Sequence, residues 1–239
     1  MQFKSIFVTG TDTGVGKTTV SSGIAAALSR RGWRVGVYKP AETGCPPDFN
    51  DRPLTFDAGR LQFFSGCRSE LKTICPYRLR EPLAPLVAAE RESVIIDLDR
   101  LLWCYKTIAS AHDVSLIEGA GGVLVPLTPT LTFADLAKRL DVPVLVVVGS
   151  RLGAINHALL TVRYAEAIGL RVLGYVVNFL SAESDEAARS NVDTLGRLLG
   201  PAIGVVPHLG EISATAETRR RLAQVFAERV RIDDLLVPC

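Results

Sequence analysis

The apolar run Ile6-Phe7-Val8 leads into GTDTGVGKTT at 10–19 and then into VSSGIAAALSR, a stretch rich in helix formers. A strand that passes through a glycine-rich turn ending in Lys17-Thr18 and straight into a helix constrains the fold more than any other feature of the chain. It is a phosphate-binding loop in the context such loops require. Successive backbone N–H groups and the start of the helix converge on anionic oxygens, Lys17 adds a mobile point charge, and the Thr18 hydroxyl is a ligand for Mg²⁺. Gly14 and Gly16 let the backbone approach closely. The strict spacing of such loops asks for glycine at position 11, where this chain has Thr11; its first glycine, Gly10, comes one place early. A plain glycine-rich turn before a helix would not need Lys-Thr at the helix entrance.

Apolar runs recur along the chain: KSIFVTG, RVGVYKP, DVSLIEG, VPVLVVVG, LRVLGYVVN and PAIGVVP. They do not alternate polar with apolar, as expected of strands covered on both faces in a parallel sheet. Helical spacing is read at 17–31, 132–140, 155–168 and 184–199, with Gly32 and Gly169 as stops. The alternation predicts a doubly wound, mostly parallel α/β sheet, and residues 1–239 are read as one domain. The stretch 41–92, with its six prolines from Pro46 to Pro85, breaks the rhythm. It is expected to form long loops and short helices over the carboxyl ends of the strands, the edge where open α/β sheets bind ligands.

Composition narrows the function classes. With 239 residues and 48% hydrophobic content the chain can fill a core, and a net charge of +2 gives no field that points to nucleic acid or an anionic membrane. Neither nucleic acid nor membrane is an expected partner. The start at FKSIFV lacks the features of a signal peptide and the longest apolar runs are too short to span a bilayer, so a cytoplasmic protein is expected. Five scattered cysteines without a C-x-x-C are read as buried or idle thiols, and the three histidines share no metal-ligand spacing.

Other strand ends carry candidate site residues. DVSLIEGAGG ends in Glu118, an acid placed to reach Mg²⁺ beside a phosphate loop, with a solvated turn residue as the plain alternative. RVGVYKPAETG delivers Lys39 to the same edge, where it can hold charge that develops in phosphoryl transfer; an ordinary surface lysine is the competing reading. Thr43 follows in a hydroxyl-and-amide pocket. Asp57 opens a short helix, where it serves a ligand or merely favours the helix dipole. Asn178 ends LRVLGYVVN, placed either to pair with the adenine edge or to make a turn, and the PHLGE turn from Pro207 would face the other side of the base. His208 there is read as packing rather than catalysis.

Together GTDTGVGKT, YKPAETG, the Asp57 helix, LIEGAGG, GSRLGAINHALLT and VVN with VVPHLGE resemble the dethiobiotin synthetase family along nearly the whole chain. The resemblance implies a seven-stranded, mostly parallel sheet in a homodimer. It implies an ATP-dependent ring closure of 7,8-diaminopelargonic acid with CO₂, through a carbamate and a carbamic-phosphoric anhydride. By resemblance Gly14, Val15, Gly16, Lys17, Thr18 and Thr19 bind the ATP phosphates, and Thr18, Asp57 and Glu118 hold Mg²⁺. Lys39 is the family's active-site lysine, Lys17 assists it, and Thr13 lies beside the carbamate and γ-phosphate. Gly119, Ala120 and Gly121 line the nucleotide, while Asn178 and the turn Pro207, His208, Leu209 hold the base. Thr43 contacts the diamine. Gly153 and Asn156 match the segment by which the neighbouring subunit grips the substrate's carboxylate tail.

Two positions depart from the family's pattern: Leu86 stands where a histidine is frequent, and Asn191 where a tyrosine often helps hold the tail. A competing reading is an ATP-driven partitioning switch of the same fold, whose loop carries an early signature lysine where this chain has Thr11. An amidating ligase of the same fold would usually bring a glutamine-hydrolysing domain, for which 239 residues leave no room.

Overall fold

The computed structural model describes residues 4–47, 56–183 and 186–236. The chain begins with β1 (Lys4–Gly10), α1 (Lys17–Arg30), β2 (Val35–Tyr38), β3 (Ala41–Glu42), α2 (Asp57–Ser65), α3 (Leu71–Ile74) and β4 (Tyr77–Arg78). It continues through α4 (Pro85–Arg91), α5 (Leu98–Ala111), β5 (Val114–Gly122), β6 (Pro126–Thr128), β7 (Leu131–Thr132) and α6 (Phe133–Leu140). The last elements are β8 (Val144–Ser150), α7 (Ala154–Ala167), β9 (Val172–Phe179), α8 (Glu186–Leu199), β10 (Gly204–Val206) and α9 (Ala216–Arg229).

All six apolar runs become strands of one sheet, in the order β10-β9-β8-β1-β5-β2, with every neighbouring pair parallel. The described residues thus give six strands where the resemblance implied seven; the pairs β3-β4 and β6-β7 stand apart. Continuous apolarity has the expected cause. On β8, Val144, Val146 and Val148 pack toward α5, α6 and α7, while Leu145 and Val147 pack toward α1 and α9. The chain turns from one side of β1 to the other between β5 and β8, so the carboxyl end of β1 is the topological switch point at which a crevice opens.

The segment 41–92 forms α2, α3, α4 and the short β3-β4 pair over this edge, with 48–55, including Pro53, outside the described residues. Residues 184 and 185 of the expected helix at 184–199 also fall outside them. The four described cysteines are free and buried. No helix among the described residues is long and apolar enough to cross a membrane.

One local device fixes the floor of the crevice. Thr132 caps α6: its hydroxyl accepts from the Asp135 N–H at 3.2 Å, and the Asp135 carboxylate accepts from the Thr132 N–H at 2.8 Å. This seats Phe133 against Phe7, ring centroids 6.3 Å apart, and both rings lie under Gly119. Thr132→Ala is expected to cost about 1 kcal/mol and to lower the melting temperature by about 2–4 °C in a calorimetric scan.

Candidate active site

The loop between β1 and α1 opens the site. Gly14 and Gly16 take the left-handed conformation, with φ of 74° and 86°. Gly16 is the N-cap residue of α1 and has no side chain to bond the helix's first N–H groups, which leaves them for a ligand. Asp12 accepts from the Thr13 N–H at 2.7 Å and shapes the turn before them. The Lys17 ammonium is buried and reaches the Asp12 carbonyl at 3.4 Å. Burial, aided by the neighbouring Lys39 charge, lowers it to about 8, against the pull of Glu118, Asp57 and Asp12. An incoming phosphate would supply the negative charge this lysine lacks.

Behind the loop sits a charge cluster drawn from three elements. Lys39 follows β2, Glu118 comes from β5 and Asp57 begins α2. The parallel register sets Val8 of β1 opposite Glu118, and Tyr38 of β2 opposite Ile117, so all three strand ends meet at one level. The Lys39 ammonium donates to Glu118 Oε1 at 2.7 Å, to Asp57 Oδ2 at 2.9 Å and to the Gly119 carbonyl at 3.3 Å. Burial opposes its charge, but Glu118 and Asp57 prevail and raise it far above its ordinary value, so it is cationic throughout the physiological range. The surface-lysine reading of Lys39 is therefore set aside: the residue is 2% exposed. Burial likewise opposes the Asp57 charge, and Lys39, Thr18 and Lys17 hold its carboxyl below the ordinary value.

The Thr18 hydroxyl donates to the same Glu118 Oε1 at 2.9 Å. Glu118 Oε2 is buried and has no hydrogen-bond partner among the described residues, a cost that calls for an explanation such as a bound ion. An unpartnered carboxylate oxygen beside a threonine hydroxyl and a second carboxylate is a donor set that fits a hard cation such as Mg²⁺. Among the described residues no group of three or more His, Cys, Asp or Glu side chains is gathered so that it could hold a metal ion.

A cavity of about 740 Å³ opens between the loop and this cluster, with Glu118 buried behind its wall. Its walls bring together Thr13, Gly14 and Gly16 from the loop, Lys17, Thr18 and Thr19 from the start of α1, Lys39 and Thr43 from the second strand end, Asp57 from α2, and Ala120 and Gly121 from the end of β5. A Cβ on Gly121 would lie 3.5 Å from the Thr13 hydroxyl, so the EGAGG end of β5 lies against the loop. Val15 points away into the core. Asn178 is buried, and its amide donates to the Val15 carbonyl at 3.0 Å, bracing the loop from below. Pro207 and His208 border a separate cleft of about 460 Å³ with Phe179 and Arg229. His208 is exposed there, contrary to the packing expected of it. Leu209 is half-buried beside the cleft and packs on the core under α1. Gly153 and Asn156, at the start of α7, are exposed and do not line the large cavity.

A family model described as an AAA domain matches residues 4–217. The ATP-dependent dethiobiotin synthetase BioD of Bacillus subtilis (strain 168) is 38% identical over 211 residues, which cover 88% of this chain and 90% of that protein. That of Anaeromyxobacter sp. (strain K) is 43% identical over 229 residues, 95% of this chain and 99% of that one. The chain belongs to the dethiobiotin synthetase family.

Two solved structures resemble this family member in fold, at low sequence identity. The MinC:MinD cell division protein complex of Aquifex aeolicus matches with a TM-score of 0.55 and 16% identity, covering 97% of this chain and 93% of that one. A putative plasmid partition protein from Borrelia burgdorferi B31, bound to AMPPNP, matches at 0.56 and 12%, covering 95% and 99%. These two proteins thus share the architecture of this chain at low sequence identity.

Asn191, where the family's pattern often has a tyrosine, is 3% exposed. Its amide donates to the Arg151 carbonyl at 2.9 Å and to the Ser150 hydroxyl at 3.3 Å, bracing the turn that leads to α7. Arg151 in turn reaches Asp12 of the phosphate loop at 2.5 Å. Among the cavity's neighbours, Glu42, Arg60, Val125 and the Pro82–Pro85 stretch were not singled out from the sequence. Glu42 stood in view as the acid between Lys39 and Thr43, but its partners lie 14 to 16 residues away and only the fold brings them close.

Proposed function

We propose that this chain is an ATP-dependent dethiobiotin synthetase that closes the ureido ring of dethiobiotin on 7,8-diaminopelargonic acid. One amine takes up CO₂ as a carbamate. A carbamate oxygen attacks the γ-phosphorus and ADP leaves, giving a carbamic-phosphoric anhydride. The second amine then attacks the carbamate carbon, the ring closes and phosphate departs. Within this reading Lys17 and the loop amides grip the triphosphate, Thr13 faces the acceptor and Lys39 neutralises charge on the transferred group. Mg²⁺, held by Thr18, Asp57 and Glu118, would supply further neutralisation on the phosphate oxygens. Thr43 would orient the diamine, and Asn178 with Pro207 to Leu209 would hold the adenine.

The observation that carries the proposal is the shared cavity: the phosphate loop, Lys39 and Asp57 border one space with room for a small acceptor beside the nucleotide, and Glu118 lies buried behind them as a partner of Lys39. A homodimer belongs to the reading, with Gly153 and Asn156 serving the neighbouring subunit's substrate tail. In support, these residues stand apart from their own cavity and are flanked by Leu152 and Leu160, 84% and 62% exposed. A cytoplasmic enzyme is the corresponding location.

The test is phosphate release from ATP by the purified protein. Release is expected only when the diamine and bicarbonate are both present, and the gene should rescue a biotin auxotroph lacking this step. Hydrolysis that ignores the diamine and rises with DNA or lipid would overturn the reading in favour of a switch ATPase.

A further inference from the structure

We propose that Glu42 is a positioning residue that sets Asp57 in place by capping the helix that carries it. The proposal rests on the catalytic reading above for the use of Asp57, though not for the contact itself.

The local sequence leaves α2 without a cap. Its N-cap residue is Phe56, which has no side-chain oxygen to offer the first N–H groups of the helix. Those groups are satisfied from elsewhere in the chain. Glu42 Oε1 accepts from the Phe56 N–H at 2.6 Å and the Asp57 N–H at 2.9 Å, and Oε2 accepts from the Ala58 N–H at 3.0 Å. One remote carboxylate thus binds three successive amides, and its charge meets the positive end of the helix dipole.

The Glu42 side chain is itself held by a fixed backbone. It lies in the β3-β4 pair opposite Arg78, and its carbonyl accepts from the Leu79 N–H at 2.8 Å. At 4% exposure the carboxylate is shielded from water that would otherwise compete for those amides. Glu42 stands between Lys39 and Thr43 in sequence and joins that segment to the one bearing Asp57. Without the link, α2 would keep its apolar contacts through Ala58 and Leu61 but lose the constraint on its first turn, where Asp57 faces Lys39 and Thr18.

The test separates positioning from general stability by comparing Glu42→Gln and Glu42→Ala with the unaltered protein. Calorimetric titration with AMPPNP is run with and without Mg²⁺, alongside a thermal scan. The glutamine keeps one acceptor oxygen for Phe56 and Asp57 but presents an amide to the Ala58 N–H; the alanine removes all three contacts. Metal-free AMPPNP affinity is expected to stay within about 3-fold in both variants. The gain in affinity that Mg²⁺ confers is expected to fall by about 10-fold or more in Glu42→Ala and by less in Glu42→Gln. Adding Glu42→Ala to Asp57→Asn should then cause little further loss, because both act through one carboxylate. An unchanged Mg²⁺ gain in Glu42→Ala, or equal losses with and without the metal, would overturn the proposal. Because the readout is binding, it stands independently of whether the diamine is the true acceptor.

Discussion

Lys39→Ala is expected to turn over about 100-fold or more slowly, while its affinity for a non-hydrolysable ATP analogue changes by less than about 3-fold. The asymmetry follows from where the charge sits. Lys39 is buried behind the phosphate loop, paired at 2.7 and 2.9 Å with two carboxylates, and so is held charged and oriented before any ligand arrives. A preorganised cation of this kind contributes most when negative charge shifts onto transferring oxygens, and the loop amides with Lys17 remain to bind the ground state. Removing it also leaves Glu118, fully buried, without its cationic partner, a loss of the sort that costs about 3–5 kcal/mol. The comparison must therefore be made below the variant's lowered melting temperature, followed by circular dichroism. Single-turnover kinetics with diamine and bicarbonate give the rate, and titration gives the affinity. Equal losses in both would make Lys39 a binding residue only.

The parts of this molecule that could be read from the sequence are those whose physics is local. Each of the six sheet strands carries a short apolar run without strict alternation, because both faces of the sheet are covered, and all six were legible. The phosphate loop was legible because strand, glycines, Lys17 and helix are contiguous. The helix α5 was within reach too, since Leu101, Cys104, Tyr105, Ile108 and Ala109 form a regular buried stripe. The helix α9 was not, as Leu222, Ala223 and Phe226 are its buried residues in a polar segment and most of its charged side chains face solvent. At the site, the residue types at the strand ends were legible but their mutual contacts were not. Lys39 meets Glu118 across 79 positions, and Asn178 meets Val15 across 163. Only the strand order supplies those contacts, which is why a buried, doubly paired lysine could not be told from a surface one.

The two loop glycines should separate sharply on substitution, and Gly16→Ala is expected to weaken binding of inorganic triphosphate by about 30-fold or more. Both glycines are left-handed, so alanine at either costs about 1–2 kcal/mol of backbone strain. At Gly14 a Cβ meets no atom of the described residues within 4 Å, and affinity should change by less than about 10-fold. At Gly16 the new Cβ would fall 2.1 Å from the Asn178 amide nitrogen. Asn178 cannot yield without giving up its bond to the Val15 carbonyl, so the strain passes into the turn that aims the first amides of α1 and the Lys17 ammonium. A displacement near 1 Å in such a cradle is enough for losses of about 100-fold. Adding Asn178→Ala to Gly16→Ala removes the obstruction, and triphosphate affinity is expected to recover by about 5-fold or more, a coupling that independent sites would not give. Using triphosphate keeps the base out of the measurement. If the double variant binds no better than Gly16→Ala alone, Asn178 is not the brace of the phosphate loop.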